Sequence, residues 1–379
     1  MNNASAAESA TESINPTDWQ TVTGLDQVVS PALLVDTDHV RANIQHMLSV
    51  VDHQAARLRP HVKTHKMSAV LRLQRDAGIE QFKAATLAEA EMVARAGAAD
   101  CLLAQALVGP KIQRFDALAA EFPGTRFSAI VDHPDGVLQL SDGLSLSTTK
   151  AALPVWIDVD CGMHRTGVPF GERLDAVRDA IAHRSNLQYA GLHVYDGHLH
   201  QSELEQRERA ATEIMAAIRT DRQQTHSPQV IVGGSPTFAF WAQQTDWQCS
   251  PGTMVLWDAG YASSYADMRY QLAAALLTRV ISRPQPGRVC LDLGHKAVAS
   301  EMPLAERIVL PALPEARFVS QSEEHLVIET TAAEGLPIGA PLLAFPRHIC
   351  PTIALYSRVW TVTEGRVTGE AWPVDARQR

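Results

Sequence analysis

The stretch Arg57-Leu58-Arg59-Pro60-His61-Val62-Lys63, followed by Thr64-His65-Lys66, is where the fold of this chain becomes readable. It is the first clear strand after an opening helical pattern, and it ends on a lysine. Further short apolar or β-branched runs lie near Gln81–Ala85, Asp100–Gln105, Arg126–Val131, Val155–Asp160, Gln188–Tyr195, Gln229–Gly233 and Gly252–Trp257. Amphipathic stretches fill the gaps. Thr86–Gly97 and Glu203–Arg219 have apolar residues at three- and four-residue spacing. The first opens with Thr86 and Glu89 in capping-box spacing and closes at Gly97. Eight alternating β-α units predict a (β/α)8 barrel over residues 26–258. A doubly wound open sheet is the alternative. After Asp258 the strand-like runs follow one another without long helices, punctuated by Gly and Pro, and predict a mainly β domain over residues 259–379. Residues 1–25 are expected to form a disordered leader and an N-terminal strand region.

Composition narrows the function classes. The 379 residues are 46% hydrophobic and 20% charged, with a net charge of −9 and no long basic run. A nucleic-acid partner is not expected from such a balance. No apolar run approaches the ~20 residues that a membrane span needs. The opening stretch, rich in Ala, Ser, Asn and Glu, lacks the basic start and apolar centre of a signal peptide. Five scattered cysteines are consistent with reduced thiols and a cytoplasmic setting.

Several motifs could carry chemistry. Lys63 sits at the carboxyl end of the first barrel strand, where barrels place their catalytic groups. Arg59, His61, His65 and Lys66 surround it in sequence, and neighbouring positive charge would lower an amine's pKa. A solvated basic turn accounts for the same residues. Gly233-Gly234-Ser235-Pro236-Thr237 follows the seventh strand and opens a helix, whose first N–H groups suit an anion. Pro251-Gly252-Thr253 lies at the start of the expected eighth strand. Loops around strands seven and eight often bind phosphate in barrels, although an ordinary turn is the commoner meaning of either motif alone. In the stretch Asp158–Gly167, Arg165 would project into the barrel mouth and could hold a phenolic or carboxylate oxygen. A salt bridge to Asp158 or Asp160 would serve as well. Tyr195 ends strand six and suits a pocket wall or the core. His348 and Cys350, two apart in an expected strand, would face the same way. An imidazole and a thiolate make half of a zinc site, and sulfur favours zinc over manganese or magnesium. A buried cysteine beside a surface histidine is the plain alternative. His198 and His200 form a second pair, better suited to a polar pocket lining.

Taken together, these residues resemble the D-threonine aldolase and D-serine dehydratase family, fold-type III pyridoxal phosphate enzymes with an alanine-racemase-like barrel. The resemblance runs from about Asp26 to Val374. Arg59–Lys66 looks like the family's cofactor-lysine motif, which implies that Lys63 carries pyridoxal 5′-phosphate as a Schiff base. Asp160-Cys161-Gly162-Met163-His164-Arg165-Thr166-Gly167 is similar to an Asp-x-Gly-x-x-Arg-x-Gly motif. Gly234, Ser235 and Thr237, with Gly252 and Thr253, resemble the phosphate cradle, and Arg165 and Tyr195 are implied cofactor contacts. Glu323-Glu324-His325 and His348-Ile349-Cys350-Pro351-Thr352 resemble the C-terminal motifs, with His348 and Cys350 as the implied divalent-metal ligands. The family's aldolases often have His-x-Asp there and a histidine after the barrel tyrosine. This chain has Cys350 and Asp196. The Pro351-Thr352 continuation looks aldolase-like.

The resemblance implies a lyase acting on β-hydroxy-D-amino acids, with retro-aldol cleavage to glycine and an aldehyde as the leading reading. His200 or a water on the metal would be the base. The alternative is a D-serine or 3-hydroxy-D-aspartate dehydratase giving a 2-oxo acid and ammonia, in which Lys63 removes the Cα proton. A racemase has no evident use for His348 and Cys350. A non-catalytic pyridoxal phosphate-binding barrel would not need the C-terminal domain. Family members are usually homodimers, which the resemblance extends to this chain.

Overall fold

The computed structural model describes residues 19, 21–144, 151–225, 229–244 and 246–378. The expected leader falls largely on residues 1–18, outside the described residues. The described residues group into two compact units. One draws on the described residues up to His46 with Thr64–Ala69 and Thr253–Arg377, and the other on Met47–Lys63 and Val70–Gly252. The N-terminal strand β1 (Ala32–Asp36) therefore counts with the C-terminal segment, in contrast to a continuous division at residue 258.

The barrel unit carries β2 (Gln81–Ala84), β3 (Asp100–Leu103), β4 (Arg126–Val131), β5 (Leu153–Val159), β6 (Leu187–Val194), β7 (Val230–Val232) and β8 (Gln248–Cys249). They pair in sequence order and all in parallel. The first expected strand is not a continuous ladder. Leu58 bridges Cys249 and His61 bridges Lys83, so this segment joins the two sheet edges and closes the barrel. Pro60 has no N–H to donate, which breaks the ladder between the two bridges. Lys63 lies just beyond, in the 3-10 turn Val62–Thr64.

The eighth strand differs from expectation. It is Gln248–Cys249, and the apolar run after Pro251 forms a 3-10 turn at Thr253–Val255. A short buried apolar run does not by itself distinguish strand from turn. Between strands, the helices follow the sequence closely. Leu87–Arg95 is capped by Thr86, whose hydroxyl accepts from Glu89 N at 3.1 Å, and Gly97 ends it with φ +75°. The helix expected at Glu203–Arg219 spans Leu204–Thr225.

Register fixes what points into the barrel. Lys83 pairs with Leu102, and Asp158 pairs with His193. Residues two apart on a strand share a face, so Trp156 joins Asp158 and Ile130 joins Ser128. The interior is thus layered. Arg59, Gln81, Asp100 and Gln248 interlock at the amino end: Arg59 donates to Gln248 Oε1 at 2.9 Å and to Gln81 Oε1 at 2.8 Å, and pairs with Asp100. Leu102, Ile130, Trp156 and Ile231 pack together as a buried apolar cluster. His61, Lys83, Asp158 and His193, all buried, lie toward the carboxyl ends.

The second unit is built on a sheet in the order β12-β13-β10-β9-β1-β15-β16. Its strands are β9 (Ala274–Gln285), β10 (Arg288–Leu291), β11 (Ile308–Val309), β12 (Arg317–Gln321), β13 (Leu326–Glu329), β14 (Pro341–Pro346), β15 (Arg358–Thr363) and β16 (Arg366–Pro373). β14 pairs with both β9 and β11. Within this sheet β1 and β15 run parallel, and its other described strand pairs are antiparallel. No helix among the described residues is long and apolar enough to cross a membrane.

Candidate active site

At the carboxyl end of the barrel three cations converge on one aromatic ring. Lys63 Nζ lies 5.7 Å from the Tyr195 ring centroid, Lys83 Nζ 5.5 Å, and the Arg165 guanidinium carbon 5.2 Å. Tyr195 can hold this position because Gly197 follows it. A Cβ at Gly197 would lie 2.3 Å from the tyrosine ring. Arg165 makes no ion pair with Asp158 or Asp160. Asp160 instead accepts from the backbone N–H groups of Gly162 and His164 and contacts the His164 ring at 2.9 Å.

The basic surround expected of Lys63 is largely redistributed. Arg59 is committed to the amino end of the barrel. The His65 ring takes the Met67 N–H at 3.1 Å, and burial pushes its pKa down to about 3, so it is neutral. Lys66 Nζ bonds the Ala376 carbonyl at 3.4 Å. His61 stays in the barrel interior. Burial and the nearby lysines hold its pKa well below the ordinary histidine range.

Sequence reasoning missed the relay behind Lys63. Thr166 donates to Asp158 Oδ2 at 2.9 Å, and His193 Nδ1 meets Asp158 Oδ1 at 2.7 Å. His193 Nε2 then meets Lys83 Nζ at 3.5 Å. Burial, then the neighbouring Lys63, brings the Lys83 pKa down to about 7. Nothing in the sequence marked Lys83, because lysine is almost never fully buried without a partner and so reads as exposed.

The loops after β7 and β8 meet. Gly252 N donates to Ser235 Oγ at 3.2 Å. Gly233 has φ +79°, and a Cβ there would lie 2.4 Å from Trp241. A Cβ at Gly234 would press on Tyr195 at 3.1 Å. Gly233 N donates to the Val194 carbonyl at 2.9 Å, and the glycines let the backbone of this tight loop come close to a bound group, which suits a phosphate. The helix after this loop is only Phe238–Ala242, too short to add a substantial dipole. Thr237 does not face outward: it donates to Asp196 Oδ2 at 2.7 Å, and Trp241 Nε1 donates to the same oxygen at 2.6 Å. Asp196 is buried, and its pKa is raised by that burial. It ties the strand-seven loop down. His200 is exposed, and among the described residues its ring makes no hydrogen bond or ion pair, so it is not drawn into the Tyr195 cluster.

In the sheet unit, His348 and Cys350 are not on a strand. His348 caps the short helix Ile349–Ile353, with Pro351 in its first turn, where a missing N–H is no loss. The two side chains nevertheless meet. The hydrogen bond that His348 donates to the Cys350 sulfur, aided by Glu301, raises the His348 pKa to about 9. His348 Nδ1 lies 2.7 Å from Glu301 Oε1, which leaves Nε2 as the outward donor. Asp258 accepts from Ile349 N at 3.0 Å and fixes the start of this turn. Thr64 Oγ1 and Thr253 Oγ1 lie 3.3 and 3.8 Å from the Cys350 sulfur, so Thr253 is turned toward the cysteine. Glu323 and Glu324 are salt-bridged to Lys296. No group of three or more His, Cys, Asp or Glu side chains among the described residues could hold a metal ion. A site built here would have two protein donors, an imidazole and a sulfur, with its other positions left to solvent or substrate.

Comparisons with known proteins place this geometry in context. Residues 35–259 match the alanine racemase N-terminal domain, and residues 273–362 match a putative serine dehydratase domain. The chain is 27% identical over 364 residues to a D-threonine aldolase of Arthrobacter sp, covering 93% of this chain and 94% of that protein. It is 26% identical over 358 residues to a D-threo-3-hydroxyaspartate dehydratase of Delftia sp. (strain HT23), covering 86% and 92% respectively. The crystal structure of a D-threonine aldolase from Filomicrobium marinum matches with a TM-score of 0.84 at 27% identity, covering 93% of this chain and 96% of that one.

Proposed function

This chain belongs to the family of the alanine racemase N-terminal domain, and from that premise we propose that it is a pyridoxal phosphate- and divalent-metal-dependent lyase. It cleaves β-hydroxy-D-amino acids to glycine and an aldehyde. The observation that carries the reading is the meeting of the Lys63 amine and the Arg165 guanidinium on the Tyr195 ring. The tight glycine loops after β7 and β8 support it, since a phosphate needs such a backbone cradle. The aldolase and dehydratase relatives support the substrate class.

Pyridoxal phosphate, when bound, supplies a conjugated ring that takes up an electron pair released at the substrate Cα. Lys63 Nζ would hold its aldehyde carbon. Gly234, Ser235 and Gly252 would hold its phosphate, and Arg165 its phenolic oxygen or the substrate carboxylate. Tyr195 would border the cofactor ring. His348 Nε2 and Cys350 Sγ would hold a divalent ion, and the sulfur favours zinc over manganese or magnesium. Such an ion eases loss of a hydroxyl proton. When the β-hydroxyl proton leaves first, the Cα–Cβ bond breaks, the aldehyde departs, and a proton returned to Cα gives glycine. When Lys63 Nζ removes the Cα proton first, the hydroxyl departs as water, and addition of a water at Cα then releases ammonia and leaves a 2-oxo acid. The dehydratase reading stays open for this reason, and Cys350 is the residue that favours it. A homodimer and a cytoplasmic setting belong to the same proposal.

Product analysis with D-threonine tests it. The purified protein supplied with pyridoxal phosphate and zinc is expected to release acetaldehyde and glycine. Release of 2-oxobutanoate and ammonia would assign the dehydratase reaction instead. Turnover of neither D-threonine nor 3-hydroxy-D-aspartate would overturn both.

A further inference from the structure

Lys83 takes no part in the reaction derived above, although its amine lies against the ring that Lys63 uses. Its side chain is 2% exposed, on β2, facing the barrel interior. The Asp158 carboxylate is an obligate acceptor for the His193 Nδ1 proton, so His193 Nε2 is left as an acceptor and Lys83 donates to it. The lysine head is therefore held in place. The groups that face it come from each neighbouring element. Arg59, His61 and Lys63 belong to the closing segment, Asp158 to β5, and His193 to β6. Asp196 follows β6. Arg165 reaches the same tyrosine ring from its loop. Asp158 is already bonded to His193 and Thr166, and Asp196 to Thr237 and Trp241. Among the described residues no carboxylate hydrogen-bonds Lys83.

We propose that Lys83 is a positioning residue for the cofactor chemistry: its charge, held at the Tyr195 ring by His193 and Asp158, sets the protonation of the Lys63 nitrogen in the cofactor-loaded protein. This rests on the reading that Lys63 carries the cofactor. Two like charges bordering one ring disfavour each other's charged form, and the effect is mutual. The Lys83 pKa of about 7 lets that neighbouring charge change within the working range of pH.

The test is a pH titration of the visible absorbance of the reconstituted holoenzyme, for wild type, K83M and K83R. Removal of the neighbouring charge in K83M is expected to raise the absorbance midpoint by about one pH unit, a tenfold change in proton affinity. K83R retains a charge and is expected to keep a midpoint near that of wild type. Circular dichroism checks that each variant is folded, and K83Q replaces K83M should the latter not fold. A lysine that only fills space would leave the uncharged variant at the wild-type midpoint, and that result overturns the proposal. A K83R midpoint that moves as far as that of K83M overturns it as well. A wild-type protein that shows no cofactor band at all, after reconstitution, overturns the Lys63 reading instead and the inference with it.

Discussion

Lys63 and Lys83 stand at different distances from what a sequence can disclose. Lys63 was legible because it ends an extended run and lies within a motif that resembles a known family's. Lys83 was not, because one lysine in Gln81-Phe82-Lys83-Ala84 reads as a surface residue until the register with Leu102 turns it inward. The same holds for His193 and Asp158, which sit 35 residues apart and meet only in the folded barrel. Lys83 also gives a stability prediction. Its folded pKa of about 7 lies below its ordinary value of 10.5. Between those values the unfolded chain binds a proton that the native state does not, so this lysine makes stability rise with pH across that window. Below pH 7 both states hold the proton, and the native state carries the full desolvation cost. Urea unfolding of the apoprotein at pH 7, 8 and 9 is expected to show a shallower rise for K83M than for wild type. Equal slopes would mean that Lys83 titrates normally in the fold.

At the scale of elements, legibility followed hydrogen-bonding pattern more than hydrophobicity. The capped helix Leu87–Arg95 was readable because Thr86, Glu89 and Gly97 each have a definite local role. The eighth strand was displaced because Met254-Val255-Leu256-Trp257 is apolar enough for a strand yet is a buried turn, while polar Gln248 belongs to the real one. His348 and Cys350 were expected to share a strand face. They meet instead at the start of a helix, because Asp258 anchors Ile349 and Pro351 tolerates a first turn. The turn after Tyr195 carries a prediction of its own. In Gly197→Ala the added methyl would lie 2.3 Å from the Tyr195 ring, so the ring must move. Overpacking of this kind costs about 1–3 kcal/mol. The variant is expected to fold but to bind pyridoxal phosphate at least about tenfold more weakly, since 1.4 kcal/mol is a factor of ten. Absorbance titration measures this, and wild-type affinity would mean that the position of Tyr195 does not matter to the cofactor.

For the molecule as a whole, the class of each part was readable but the division between them was not. Alternating strands and helices marked a barrel, and consecutive strands marked a sheet. β1 was lost to that reading because a single strand near the start of a chain carries no sign of the distant strands, β9 and β15, that will flank it. The proposed reaction uses Lys63 and, as metal ligands, His348 with Cys350. It therefore makes a prediction about each. Chelation with EDTA is expected to abolish lyase activity while the cofactor absorbance remains, and zinc is expected to restore it. Full activity after exhaustive chelation would remove His348 and Cys350 from the mechanism. The central claim is that Lys63 binds the cofactor, and borohydride reduction of the holoenzyme followed by peptide mapping tests it most directly. The pyridoxyl label is expected on Lys63; a label on any other lysine, Lys83 included, would rule out Lys63 as the cofactor's anchor.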